Sequence, residues 1–312
     1  MYISHFILFI CLFFLSEGQL CAKIRFLTFH YNRPDFIELQ HESFKKFIQN
    51  DYELIVFNDG PTPYHDEQIN ETCEKLGIPC IRFEQEWHLT DPLNKKILGY
   101  LRNQNCESHI SLSRDTKLIG QQVSVRHSHV IQYALKHYGY DHDDIVVIID
   151  GDFFPIRPVD LYSLMEDNKI LGAYKYIAEQ DVGYFWVLFV AMKMSELPNP
   201  KELKFHVDLI GNWIFDTGAQ SYHYLHKYPE VPVKKYAWRG SSSYYDTSIE
   251  EMENQGFNAN EIELCKNLPS HVCVELHIDH LFLHFGASAF LLDGQDIKAE
   301  HVAEYIHKIC AE

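Results

Sequence analysis

Midway along the chain, Ile145-Val146-Val147-Ile148-Ile149 sets five β-branched residues in a row, and Asp150-Gly151-Asp152 follows at once. A run this apolar, without polar alternation, fits a strand covered on both faces, the setting of a parallel sheet packed between helices. The segments before it agree. Lys23 to Phe29 is a short β-type run, Asp35 to Asn50 carries Phe36, Leu39, Phe44, Phe47 and Ile48 at helical spacing, and Tyr52 to Phe57 is a second strand. Strand, helix, strand implies parallel pairing, since a crossover that long returns the chain to run in its first direction. Gln68 to Leu76 reads as a further helix closed by Gly77, Pro79 to Phe83 as a third strand, and Val123 to Tyr138 as a long helix ended by Gly139. The fold class expected from these segments is therefore α/β, a parallel sheet flanked by helices.

Beyond Phe153 the pattern loosens. Pro155 and Pro158 interrupt the chain, Leu161 to Glu166 is a short helix, and Ile170 to Tyr176 and Tyr184 to Met192 are strands. Leu276 to Phe285 is expected as one final strand and His301 to Ile309 as a terminal helix. With no repeat or linker visible, residues 22 to 312 read as one domain, regular to residue 152 and less regular from residue 153.

Residues 1 to 21 differ in kind. Phe6 to Leu15 is an unbroken apolar run, short of the ~20 residues that span a bilayer but suited to the h-region of a signal peptide, with Ser16 and Gly18 offering a cleavage point. Unless it is an N-terminal core element, the segment is expected to be a cleaved signal or a short uncleaved anchor, and a membrane is a partner only in the second case. Both direct the rest of the chain to the secretory pathway, in the ER or Golgi lumen, or outside the cell. Among the cysteines beyond it, Cys73/Cys80 and Cys265/Cys273 are close enough for local bridges in an oxidising compartment; reduced, buried thiols are the alternative. Acidic residues outnumber basic ones 44 to 27, giving a net charge of −17 that excludes a nucleic-acid partner by repulsion of the polyphosphate.

Loops at the carboxyl ends of parallel strands form the ligand crevice of an open sheet, so Asp150 and Asp152 should face a site, and their hard oxygens suit Mg²⁺ or Mn²⁺. Four stretches together with this acid pair carry a resemblance: Thr28-Phe29-His30-Tyr31-Asn32-Arg33-Pro34, Val56-Phe57-Asn58-Asp59-Gly60, the helix Arg126 to Leu135 leading into Asp150-Gly151-Asp152, and His284-Phe285-Gly286. In their order and spacing the chain resembles a GT-A-fold glycosyltransferase with an Asp-x-Asp motif, which implies a Rossmann-like, mixed but mainly parallel sheet, a nucleotide-binding half to residue 152 and an acceptor-side half from residue 153. The resemblance implies a nucleotide-sugar donor, with a UDP-sugar the expected form, and a carbohydrate, glycan or protein acceptor. It implies Mn²⁺ or Mg²⁺ held by Asp152 and His284, with Asp150 touching the ribose or reaching the metal. Thr28, Tyr31, Asp59 and Arg126 are then donor contacts, and Asp216, in Phe215-Asp216-Thr217-Gly218, is the catalytic carboxylate beside the transferred sugar, as a base or a hydrogen-bond partner. His280, Phe282 and His284 would share one face of the final strand, and His284 is preferred because it ends that strand. Arg126 and His129 are expected together on the donor face of the long helix, and Trp213 and Trp238 are candidate sugar floors.

Two other readings compete with this one. A haloacid-dehalogenase phosphatase also sets Asp-x-Asp after an apolar strand, but it calls for Thr or Val where Phe154 stands. A catalytically silent secreted carbohydrate-binding protein on the same fold has no electrostatic need for Asp150, Asp152 and His284 together.

Overall fold

The computed structural model describes residues 23–83, 107–108, 123–237, 247–267, 274–285 and 295–312. The apolar N-terminal segment, Cys106, Trp238, Cys273 and Gly286 lie outside these residues. No helix among the described residues is long and apolar enough to cross a membrane.

The strands in chain order are β1 (Ile24–His30), β2 (Tyr52–Asn58), β3 (Cys80–Arg82), β4 (Glu107–Ser108), β5 (Ile145–Asp150), β6 (Phe153–Pro155), β7 (Ile170–Ile177), β8 (Val182–Lys193), β9 (Asp208–Ile210), β10 (Trp213–Phe215), β11 (Val233–Ala237), β12 (Glu275–His277) and β13 (Phe282–His284). The helices are α1 (Pro34–Phe47), α2 (Pro63–Leu76), α3 (Val123–Ala134), α4 (Leu161–Met165), α5 (Ser221–Lys227), α6 (Ile249–Asn254), α7 (Ala259–Asn267) and α8 (Gln295–Ala311). Seven strands form the main sheet in the order β11-β7-β8-β5-β1-β2-β3. Only β8 runs against its neighbours β5 and β7; the other adjacent pairs are parallel. The expected mixed, mainly parallel sheet flanked by helices is what forms.

Side-chain alternation along β1 and β5 builds a core on each face of the sheet. Leu27, Phe29, Val146 and Ile148 pack with Val130, Ile131 and Ala134 of α3. Ile24, Phe26, Ile145, Val147 and Ile149 pack on the other face with Ile37 and Phe44 of α1. This double covering is the reason the β5 run contains no polar residue. Helix α2 starts five residues before the expected Gln68: Thr62 accepts from the His65 N–H as its cap and Pro63 opens the first turn. It stops at Gly77, whose φ of 67° is the left-handed conformation that ends a helix.

The single strand expected over Leu276 to Phe285 is instead a hairpin, in which β12 and β13 pair antiparallel and β13 pairs with β6. Ile278, Asp279 and His280 all take positive φ and reverse the chain. His280 therefore does not share a strand face with His284; it sits in the turn against Glu261, 3.4 Å away. The bridge expected between Cys73 and Cys80 is not formed. Both are free thiols, Cys73 on the buried face of α2 and Cys80 donating to Asn70 Oδ1 at 3.1 Å.

Candidate active site

Register aligns the ends of the central strands: His30 lies opposite Asn58, and Phe29 opposite Asp150. The chain therefore leaves β1, β2 and β5 at one edge, where a cleft of about 350 Å³ is lined by Tyr31, Arg33, Asp59, Asp150, Asp152 and residues from four further segments. Helix α3 contributes Arg126 and His127, β8 contributes Trp186, the segment after β10 contributes Asp216, and β13 contributes His284.

The acid turn is fixed from below. Gln40 of α1 is fully buried, and its amide donates to the carbonyls of Asp150 (3.0 Å) and Phe153 (3.1 Å), one at each end of the turn. Gly151 is required by close approach: a Cβ there would stand 2.6 Å from the Phe29 carbonyl oxygen and 2.8 Å from the His30 ring. Burial pushes His30 down to about 4, so its ring is a neutral packing element beneath the turn.

His284 reaches this turn through the small sheet. It lies opposite Phe153 in the β13–β6 ladder, and the Phe285 N–H donates to the Asp152 carbonyl at 2.9 Å. Residues more than a hundred positions apart are thus joined by backbone hydrogen bonds. His284 Nε2 stands 3.6 Å from Asp152 Oδ1, and one ligand atom each from Asp150, Asp152 and His284 falls within 4.8 Å of the others. Two carboxylates and an imidazole at that spacing fit a single divalent cation. A second group, Glu275, His277 and His284, meets the same spacing.

Basic groups answer the acids. Arg126 Nε is 2.7 Å from Asp59 Oδ2, with both side chains nearly buried, and its guanidinium lies over the Tyr31 ring at 3.6 Å. His127 Nε2 is 3.0 Å from Asp150 Oδ1. Burial acts to lower the pKa of His127, but Asp150, Asp59 and Asp152 outweigh it and raise it above its ordinary value. His284 is raised in the same way, burial being overcome by Asp152 and Glu275. Asp216 accepts the Thr217 N–H at 2.7 Å, and Thr217 ties this segment to α3 by donating its hydroxyl to the Ser124 carbonyl at 2.9 Å.

Of the residues expected from sequence, Tyr31, Asp59, Arg126, Asp150, Asp152, Asp216 and His284 line the one cleft. Thr28 does not: it is fully buried within β1 and its hydroxyl donates to Gln40 Oε1 at 2.9 Å. His129 turns away from the cleft to pack on His206, ring centroids 4.8 Å apart, and His127 takes the expected place beside Arg126. Trp213 is half-buried in β10 outside the cleft lining. Sequence reasoning missed Gln40, Trp186 and Glu275. His127 lies three positions before Val130, which also lines the cleft, and that spacing was available as a signal for His127.

No protein-family model matches the chain, and no curated protein matches it. Solved structures are similar to it at a distance. The mannosyltransferase PcManGT of Pyrobaculum calidifontis, in complex with GDP-Man and Mn²⁺, is 14% identical over 69% of this chain and 55% of its own, with a TM-score of 0.40. The mannosyltransferase Ktr4p of S. cerevisiae is 10% identical over 59% of each chain, with a TM-score of 0.38. The galactosyltransferase LgtC, in complex with donor and acceptor sugar analogs, is 12% identical over 92% of this chain and 95% of its own, with a TM-score of 0.39. The present chain spans little more than half the length of the two mannosyltransferases.

Proposed function

We propose that the protein is a metal-dependent glycosyltransferase of GT-A type, which moves a hexose from a nucleoside diphosphate sugar to a carbohydrate, glycan or protein acceptor. The observation that carries this reading is the meeting of Asp150, Asp152 and His284 at the carboxyl edge of the sheet, in the cleft that also holds Tyr31, Asp59 and Arg126. A strongly anionic chain that sets four Asp side chains into one cleft needs a cation before a diphosphate can enter. Asp152 and His284 would hold it with the second oxygen of Asp150, since Oδ1 of Asp150 already faces His127. The imidazole in this donor set favours Mn²⁺ over Mg²⁺. Such an ion, when bound, supplies positive charge against the diphosphate as it departs.

The chain's own groups do the rest. Asp59, paired to Arg126, presents a carboxylate to a ribose or base, and the Arg126 guanidinium, held over the Tyr31 ring, adds positive charge to the cleft lining. Asp216 keeps one oxygen on the Thr217 amide, which fixes the carboxylate beside the position of the transferred sugar. The test is melting of the purified protein with UDP or GDP, with and without Mn²⁺, followed by assay of nucleoside diphosphate released from a panel of nucleotide sugars. Nucleotide stabilisation should need Mn²⁺, and Asp152→Asn should lose ~10²-fold or more in turnover with its fold intact. Full activity in that variant or in excess chelator overturns the metal assignment. Mn²⁺-dependent nucleotide binding without release from any donor would identify a silent binding protein.

A further inference from the structure

The hairpin β12–β13 holds three buried ionisable side chains within a few ångströms, and the reaction proposed above uses only one of them. Glu275 is 5% exposed, His277 4% and His284 5%. Glu275 lies directly opposite His284 in the antiparallel pair, so the two side chains stand on the same face of the hairpin, and His277, two residues along β12, stands there too. One oxygen serves both rings: Glu275 Oε2 is 2.9 Å from His284 Nδ1 and 3.0 Å from His277 Nε2. The surroundings are aromatic, with Phe153 against both imidazoles at 5.2 and 5.9 Å between ring centroids. A carboxylate is costly to bury in such a place unless it is paired, so its presence calls for a task that an apolar residue could not perform.

We propose that Glu275 is a positioning residue for the metal centre, which it serves by accepting the Nδ1 proton of His284 and so leaving Nε2 bare toward Asp152. A carboxylate accepts and does not donate, so the ring nitrogen facing it must carry hydrogen. With Nδ1 protonated, the lone pair of the neutral ring sits on Nε2, 3.6 Å from Asp152 Oδ1. The same contact fixes the rotation of the ring, and the negative charge behind it makes Nε2 a stronger donor to a cation. His277 donates to the same oxygen and keeps Glu275 from turning away.

The inference rests on the metal site of the proposed function, and its test separates the two. Free Mn²⁺ is followed by its EPR signal during titration of the purified full chain, in the unaltered protein and in Glu275→Leu, Glu275→Gln and Asp152→Asn. Glu275→Leu, which loses the acceptor, should weaken Mn²⁺ binding roughly 10- to 100-fold. Glu275→Gln keeps an acceptor oxygen without the charge and should fall between that variant and the unaltered chain. The melting point without metal should not track this order.

A folded Glu275→Leu that binds Mn²⁺ like the unaltered protein, while Asp152→Asn does not, overturns the role of Glu275 and leaves the metal site standing. Two Mn²⁺ per chain, reduced to one by Glu275→Leu, would make the cluster a metal site in its own right and overturn the positioning role. An unaltered protein that binds no Mn²⁺ overturns both. Histidine ¹⁵N spectra of the metal-free, unaltered protein at roughly pH 9, where an ordinary imidazole is neutral, provide a test that needs no folded Glu275 variant. The His284 signals, assigned by their loss in His284→Gln, should report hydrogen on Nδ1; hydrogen on Nε2 instead refutes the proposal.

Discussion

Asp216 shows how one side chain can serve the backbone and still face a substrate. Its Oδ1 accepts the Thr217 N–H, the pattern of a turn-capping residue, yet the residue is only partly buried and lines the cleft. Asp216→Asn separates these roles, because the amide oxygen still caps the turn while the charge is gone. Turnover should fall by ~10² to 10⁴-fold with Mn²⁺-dependent nucleotide affinity and melting temperature nearly unchanged. A variant with normal turnover would leave Asp216 a capping residue only. Asp150 and Asp152 were legible at this scale because a buried strand runs straight into them and its end must face the crevice. Thr28 was misread because it lies inside β1, where alternation turns its hydroxyl toward α1; the residues after the strand, Tyr31 to Arg33, reach the cleft instead. Asp59 stands in an Asn-Asp-Gly run that also suits a turn. The structure assigns the turn to Asn58, whose side-chain oxygen accepts the Gly60 N–H at 2.9 Å, and leaves Asp59 to Arg126.

Elements hold the cleft in shape through contacts whose sequence signal is weak. Gln40 sits among the apolar residues of α1 and looks out of place in their pattern until its amide is seen to span the acid turn. Replacing it with Met keeps the volume but strands the carbonyls of Asp150 and Phe153 without a donor. The expected cost is about 2 to 3 kcal/mol, a melting point lower by roughly 4 to 8 °C, together with weaker Mn²⁺ binding per folded molecule because both metal-facing carboxylates flank the loosened turn. Calorimetry and Mn²⁺ titration of Gln40→Met check this, and unchanged values in both would remove Gln40 from the support of the site. The β–α order of the first half was readable because each element is long enough to show its period, from β1 through α3 to β5. The hairpin was not, since β12 and β13 have three residues each and the turn between them contains Ile278, an apolar residue in a left-handed conformation that composition alone assigns to a strand. The partnership of Glu275 with His284 depends on the register of that hairpin, and no local pattern specifies it.

Across the whole molecule, the question is what keeps the C-terminal hairpin, and His284 with it, against the main sheet. Glu261 of α7 answers it: its carboxylate takes Arg157, two residues beyond β6, at 2.6 and 2.7 Å, accepts the Asn258 N–H at 2.9 Å, and faces His280 in the hairpin turn at 3.4 Å. One buried acid thus joins the chain leaving the acid turn, a helix of the second half and the hairpin that carries His284. Burial acts to raise the Glu261 pKa, but the hydrogen bonds from His280 and Arg157 prevail and hold it below the ordinary carboxylate value. A carboxyl whose folded-state pKa is depressed binds its proton more readily when unfolded. Its contribution to stability is therefore complete above the unfolded value of about 4.3 and is lost as pH falls through the folded value. Glu261→Gln should cost about 2 to 3 kcal/mol at neutral pH, read as a melting point lower by roughly 4 to 8 °C. That difference should stay level down to about pH 5 and then shrink on further acidification, as the unaltered protein gives up the same charge. Taking the difference between two melting curves at each pH cancels the acids common to both proteins. A difference that stays constant to the acid limit would mean that Glu261 works by shape and neutral hydrogen bonds, and that the charge of the Arg157 pair contributes nothing to holding the hairpin in place.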